Sequence, residues 1–165
     1  MKKLILSAVF LLFCLSFLSG CNPMQDYTAA VLESSLLQDL QAVEDNLSAM
    51  DQSLPEVQKN DFPSLRALLA ENEAIFGRIE PLLSALEPEA DVAQQAHHRL
   101  VTAFSVRREV NQALAVLLDG LEAIEDGGAD PEQKEALQSL PNLISDKNAK
   151  YAEEIQAWQR ALNLE

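Results

Sequence analysis

The sequence predicts an all-α protein. Aromatic residues make up only 5% of the chain, and no segment alternates apolar and polar residues as a half-buried strand does. Apolar residues, mostly leucine and alanine, instead recur every three or four positions in four long segments, as on one face of a helix. Short connections between segments favour antiparallel neighbours. The predicted architecture is an up-down-up-down four-helix bundle, with a long helical hairpin or coiled coil as the alternative.

The first two predicted helices are bounded by aspartate and proline residues. The first begins after Asp26, a favourable N-cap, and should kink or end at Pro55. The second opens at Asp61, with Pro63 in its first turn, and should bend at Pro81. Their stripes are Leu36, Leu40, Val43, Leu47, Met50, Leu54 and Val57, then Leu65, Leu69, Asn72, Phe76, Ile79, Leu83 and Leu86.

The last two predicted helices meet at a glycine pair. The third opens at Pro88 and stops at Gly127–Gly128. The fourth has Asp130 as its cap and Pro131 at its first position, with a break or kink expected near Pro141. Their stripes are Ala96, Leu100, Ala103, Arg107, Val110, Leu114, Leu117, Leu121 and Ile124, then Leu137, Ile144, Asn148, Tyr151, Ile155, Trp158 and Leu162.

The beginning of the chain has the layout of a secretory signal. Two lysines precede an apolar run over residues 4–18 that is too short for a comfortable membrane span. The run ends in Leu18-Ser19-Gly20-Cys21, which resembles the lipobox of bacterial lipoprotein precursors, a resemblance confined to residues 1–21. It implies a diacylglycerol on the Cys21 thiol, cleavage before Cys21, and a further acyl chain such as palmitate on the new amino group. An ordinary signal peptide or an uncleaved helix, with a chance cysteine, is the alternative.

The predicted organisation is a cleaved signal peptide over 1–20, a short lipidated tether over 21–26 and a helical domain over 27–165. Cys14 leaves with the signal and lipid occupies Cys21, so the domain is expected to have no disulfide. Asn22 follows the cysteine where aspartate would imply inner-membrane retention. The resemblance therefore implies the outer membrane, facing the periplasm, if the source is Gram-negative, and has no bearing on a Gram-positive one.

The charge balance is strongly acidic. Without residues 1–20 the chain keeps 10 basic residues against 26 acidic ones, a net charge of −16. This balance argues against binding of nucleic acid, which needs a basic face, and against a domain lying flat on anionic lipid. Acidity serves as a solubility device or favours a basic partner.

No cofactor or catalytic centre is predicted. His97 and His98 are weak candidates for a metal site, but no Glu-x-x-His or His-x-x-x-His spacing completes one, and solvated histidines are the simpler interpretation. A haem held by Met50 and one of these histidines has no supporting pattern, since Cys-x-x-Cys-His is absent. Nor does the sequence contain a glycine-rich phosphate loop or a nucleophile elbow, so a non-enzymatic role is expected.

Three polar residues interrupt the apolar stripes. Asn72, Arg107 and Asn148 are expected within about one turn of each other along the bundle. They are interpreted as a polar core layer that fixes helix register, with Asp146 or Glu44 as a partner for Arg107. A ligand or partner carboxylate bound by Arg107 is the alternative.

The third helix is longer than the second, which predicts a partner groove where the second is missing. The groove would be lined by Leu117, Leu118, Leu121, Ile124, Leu137 and Leu140, with a rim of Glu122, Glu125, Asp130, Glu132 and Glu135. The alternative is that residues 51–61 fold over these leucines and close the core.

The features together favour a membrane-anchored envelope lipoprotein that acts as a protein-interaction module: an adaptor, a pilotin-like helper, an inhibitor or an immunity protein. The membrane is contacted through lipid on Cys21 and the expected partner is another envelope protein. A carrier of a small ligand or metal in the bundle core is the alternative, and would require a cavity around Arg107.

Overall fold

The computed structural model describes residues 22–57, 61–128 and 131–162. These residues contain no strand and form five α-helices: α1 (Pro23–Glu33), α2 (Leu36–Ser53), α3 (Phe62–Ala85), α4 (Asp91–Glu125) and α5 (Pro131–Ala161). A 3-10 turn, Leu54–Glu56, follows α2. The predicted all-α class is confirmed for this part of the chain. The signal, Cys21, Asp130 and the side chain of Glu132 lie outside the described residues.

The predicted start of the first helix is wrong. The helix begins at Pro23, and the Oδ1 atom of Asn22 caps it by accepting the Met24 N–H at 3.1 Å. Proline at the first position has no N–H that needs a partner, so Asn22–Pro23 forms a better start than Asp26. Most of the expected tether over 21–26 is therefore helical.

The single first helix of the prediction is two helices, because serines interrupt it. Ser34 has extended backbone angles and its hydroxyl donates to the Val31 carbonyl at 2.7 Å. The same hydroxyl accepts the Leu36 N–H at 3.3 Å, at the start of α2. A serine side chain thus replaces helical backbone hydrogen bonds between α1 and α2.

The other predicted helix boundaries lie within a few residues of the observed ones. α2 gives way to the 3-10 turn around Pro55, α3 follows Asp61, and α5 begins at Pro131. α4 begins at Asp91, three residues after the predicted Pro88. Helical structure continues through both internal prolines, Pro81 in α3 and Pro141 in α5.

A Schellman motif ends α4 at the glycine pair. Gly127 has a φ of 73°, a left-handed conformation that glycine adopts without strain. Its N–H donates to the Ile124 carbonyl at 3.1 Å, and the Gly128 N–H donates to the Ala123 carbonyl at 2.9 Å. The chain is thereby reversed toward α5.

Side-chain contacts between consecutive helices run in opposite directions along the chain. The contacting pairs are Asp39–Arg78 and Asn46–Asn72 between α2 and α3, Arg66–Glu122 and Phe76–Phe104 between α3 and α4, and Glu109–Lys147 and Arg99–Glu154 between α4 and α5. α2 and α3, α3 and α4, and α4 and α5 are therefore antiparallel neighbours. Buried side chains from all five helices form one apolar core.

The short helix α1 packs at one end of this arrangement, which we call the α1 end. Its Tyr27 is buried and contacts His97, in the second turn of α4. The α4–α5 turn forms the other end, which we call the distal end. From His97 to Ile124, α4 spans about 40 Å.

Candidate functional site

Arg107 is the centre of a buried polar cluster. Only 8% of the residue is exposed. Its Nε and Nη2 atoms donate to the two carboxylate oxygens of Glu44 on α2, and its Nη1 donates to Asn148 Oδ1 on α5 at 2.5 Å. The guanidinium also lies over the Tyr151 ring, 3.9 Å from its centroid. One side chain of α4 therefore links α2 to α5.

Tyr151 shares the environment of this ion pair. Burial raises the pKa of its hydroxyl, the Glu44 carboxylate raises the pKa further, and the Arg107 charge opposes both effects. The phenol therefore stays protonated across the physiological range and offers its ring face to the guanidinium. Because Glu44 already neutralises the charge of Arg107, a ligand carboxylate would have to displace Glu44 in order to bind there.

Asn72 belongs to a different cluster. It is fully buried, its Oδ1 accepts from Asn46 at 3.0 Å, and its Nδ2 donates to Asn111 Oδ1 at 3.0 Å. Asn111 Nδ2 in turn donates to a Glu73 carboxylate oxygen at 2.9 Å. The structure thus brings together Arg107 and Asn148 of the predicted layer, while Asn72 forms hydrogen bonds with Asn46 and Asn111.

Arg107 and Asn72 belong to separate clusters because two polar side chains of α4 face different helices. Arg107 reaches toward α2 and α5, whereas Asn111, one turn later, meets α3. The sequence interpretation missed Asn111, although its spacing of four from Arg107 placed it on the same helix face. Glu44, rather than the exposed Asp146, is the carboxylate that pairs with Arg107.

The two adjacent histidines have different surroundings, and the expectation that both are solvated is wrong for His97. His97 is buried, and its Nδ1 lies 3.4 Å from the Tyr27 hydroxyl, with the two rings edge to face. Burial lowers the pKa of His97, although the Glu87 charge opposes the shift. His98 is exposed. Within the described ranges, no group of three or more histidine, cysteine, aspartate or glutamate side chains is placed to hold a metal ion.

An open groove of about 640 Å³ runs between α3 and α4 near the α1 end. Its lining includes Glu80, Glu87, His98, Phe104 and Arg108, and Arg108 donates to Glu80 across it at 3.0 Å. Arg107 does not line this groove. Sequence periodicity did not predict this groove.

The prediction that α3 is missing beside the last turns of α4, which led to the predicted partner groove, is wrong. Arg66, in the first turns of α3, lies 2.6 Å from Asp119 and 2.5 Å from Glu122, near the end of α4. The first turns of α3 therefore lie beside this part of α4. Leu118 is fully buried, and Leu54 and Val57 are partly buried against the core.

Apolar surface nevertheless remains along the outer flank of α4 and α5. Val116 is 55% exposed, Leu143 44% and Ile124 40%, while Leu137 and Leu140 are partly exposed. We call these five residues the distal apolar surface. Of the predicted lining, Leu117 and Leu121 are also partly exposed but pack against the core.

The apolar side chains on this flank are exposed because the first half of α5 has few contacts with other helices. Among its described side chains, Ile144 is the first that is buried. Before it, Leu137 packs so closely on Gly120 of α4 that a Cβ at position 120 would lie 2.2 Å from a Leu137 methyl. The first half of α5 thus rests on α4 through a glycine contact and leaves adjoining apolar side chains in solvent.

No protein-family model, curated protein or solved structure matches this chain. Within the described residues, none of the helices combines the length and apolar character needed to cross a bilayer.

Proposed function

We propose that this protein is a lipid-anchored envelope lipoprotein that binds another protein through the distal apolar surface. The observation that carries the proposal is the exposure of Val116, Ile124 and Leu143 on two neighbouring antiparallel helices, α4 and α5, of a strongly acidic chain. Contiguous exposed apolar side chains with a charged surround are typical of protein interfaces. The scaffold we propose is an antiparallel four-helix bundle of α2 to α5, with α1 packed at one end.

The lipobox-like sequence supports the anchor. Cys21 directly precedes Asn22, which caps α1, so lipid on Cys21 would place the α1 end at the membrane. Two or three acyl chains give stable attachment. If the source is Gram-negative, Asn22 favours the periplasmic face of the outer membrane.

Within this class, an adaptor, a pilotin-like helper, an inhibitor and an immunity protein all act through contact with a protein, and all are compatible with the proposal. A carrier of a small ligand or metal would use open space around Arg107. Instead Glu44, Asn148 and Tyr151 surround that guanidinium, which favours the interaction module.

Site-specific photo-crosslinking in living cells tests the proposal. A photoreactive residue replaces Leu143 in the distal apolar surface or, as a matched control, the 64%-exposed Val92 near the start of α4. We expect a discrete crosslinked protein from position 143 and none from position 92. The same products from both positions, or none from either, would contradict the proposal.

A further inference from the structure

A tyrosine side chain makes the polar contact between α1 and the helices on which it packs. The Tyr27 hydroxyl lies 3.4 Å from His97 Nδ1 on α4, and the two rings meet edge to face. Among the described residues, no ion pair joins α1 to another helix. At Ser34 the backbone is extended and a serine hydroxyl replaces helical hydrogen bonds. A hinge therefore lies where α1 would separate from α2.

The surroundings of His97 suit a neutral imidazole. Tyr27 covers the ring, and a neutral Nδ1 can accept the tyrosine proton. Trp158 on α5 is also buried, and its indole N–H lies close enough to the Tyr27 hydroxyl to lower the pKa of that hydroxyl. The indole can only donate, and in the described part of the chain its Nε1 has no hydrogen-bond partner. An imidazolium, which donates through both ring nitrogens, would add a donor to a cluster that already lacks an acceptor.

The charged groups near His97 do not reverse this preference. Glu87, in the turn before α4, raises the pKa of His97 and the neighbouring His98 lowers it, but burial is the largest effect and lowers it. Burial also raises the pKa of Tyr27 to about 12, so its hydroxyl stays protonated. Carboxylates on the surrounding helices are exposed or paired, namely exposed Asp26 on α1, Glu80 with Arg108, and Glu154 with Arg99.

We propose that α1 is a pH-sensitive element, which stays docked over a neutral His97 and separates from the bundle when that imidazole takes up a proton. Separation gives water to both ring nitrogens, whereas the docked arrangement leaves one N–H without an acceptor. The docked form therefore binds the proton less tightly than the undocked form. The undocked fraction rises as the pH falls through the ordinary histidine pKa of about 6.5, by at most about tenfold from pH 7.5 to pH 5.5.

Separation of α1 would change how the bundle is connected to position 21. α1 has 11 residues, which span roughly 35 Å when fully extended. In the anchored protein proposed above, acidification would thus turn a close attachment into a longer tether. The separation itself requires no lipid on Cys21, because it depends on contacts among Tyr27, His97 and Trp158.

Hydrogen exchange followed by mass spectrometry tests this proposal on the protein purified in detergent from expressing cells. Protection factors, corrected for the intrinsic pH dependence of exchange, are compared at pH 7.5 and pH 5.5. The amides of residues 27–33 in α1 are measured against those of residues 69–79 in α3. His97→Gln and His97→Phe remove the titrating group, and His98→Gln changes its exposed neighbour as the matched control.

We expect α1 to be at least about tenfold less protected than α3 at both pH values, because α1 separates without unfolding of the bundle. In the wild type and in His98→Gln, the protection of α1 should fall several-fold, and at most about tenfold, from pH 7.5 to pH 5.5. In both His97 variants it should not change with pH.

Three results would each overturn the proposal. Equal protection of α1 and α3 would mean that α1 separates only when the whole protein unfolds. Constant protection of α1 in the wild type would exclude a response to pH, and the same fall in either His97 variant would exclude His97 as its source. The wild-type comparisons decide even where a substitution loosens α1 at both pH values.

Discussion

Arg107 and Glu44 form a two-pronged ion pair that joins α4 to α2, with the arginine almost fully enclosed and the glutamate side chain 32% exposed. This difference in exposure determines how much the protein is destabilised when either residue loses its partner. A glutamate left alone at this position can be hydrated, whereas an arginine left alone cannot.

Glu44→Leu should therefore destabilise the protein more than Arg107→Leu. Loss of one partner of a buried pair costs 3–5 kcal/mol, and partial exposure of Glu44 reduces the expected loss to about 2–3 kcal/mol. For Arg107→Leu we expect about 1 kcal/mol, since an apolar side chain replaces the charge and Glu44 turns to solvent. Urea unfolding followed by circular dichroism measures both changes. Equal losses, or a larger loss for Arg107→Leu, would contradict the assignment.

Asn72 and Arg107 should contribute independently, because the hydrogen bonds of Asn72 go to Asn46 and Asn111 and those of Arg107 go to Glu44 and Asn148. Asn72→Leu should cost about 1–3 kcal/mol, as it leaves buried amides unpaired. The double variant Asn72→Leu/Arg107→Leu should lose the sum of the single losses to within about 0.5 kcal/mol. Coupling well above that value would show that the residues form one layer after all.

His97 makes stability depend on pH. Burial lowers its pKa in the folded state below the usual 6.5, so the unfolded chain takes up the proton first as the pH falls. Stability should be unaffected by this group above about pH 7 and should fall below pH 6.5, by at most about 1.4 kcal/mol per pH unit, until the folded-state pKa is reached. The slope should be absent in His97→Gln and present in His98→Gln. Chemical unfolding at pH 7.5 and pH 5.5 provides the comparison, and identical slopes for wild type and His97→Gln would refute it.

Periodicity predicted the long helices because an apolar stripe has few other ways to be buried. The stripe position of Arg107 likewise predicted a buried arginine with a polar partner among Asn72, Asn148, Asp146 and Glu44, and the structure pairs it with Asn148 and Glu44. The periodicity did not determine how far neighbouring helices are shifted along one another. Helix lengths alone predicted that α3 does not reach the last turns of α4, whereas Arg66 of α3 forms ion pairs with Asp119 and Glu122 there. Alignment depends on which side chains meet across helices, and that information is spread over contacts such as Phe76–Phe104 that no single stripe contains.

The split between α1 and α2 shows a second limit. A serine can lie inside a helix or cap its end. At Ser34, the side-chain hydrogen bonds to Val31 and Leu36 end α1 and begin α2. The apolar stripe starting at Leu36 carried part of this information, since no comparable stripe precedes it.

Cys21→Ala should prevent both lipid attachment and cleavage of the signal. Cells that express either form are fed a clickable fatty acid, and label on the protein is measured after gel separation. We expect label on the wild type alone, together with a mutant that migrates as the uncut precursor. Equal label on both proteins would rule out Cys21 as the lipid site.

Binding of a protein by the distal apolar surface is tested most directly by a paired charge substitution. Leu143→Asp in the distal apolar surface is compared with Val92→Asp at the other end of α4, both at exposed positions where aspartate does not disturb the core. The amount of partner protein that copurifies with each variant from crosslinked envelopes is measured, with circular dichroism as the control for folding. We expect loss of the partner from Leu143→Asp and retention by Val92→Asp, with both variants helical. Undiminished recovery with a folded Leu143→Asp variant would contradict it.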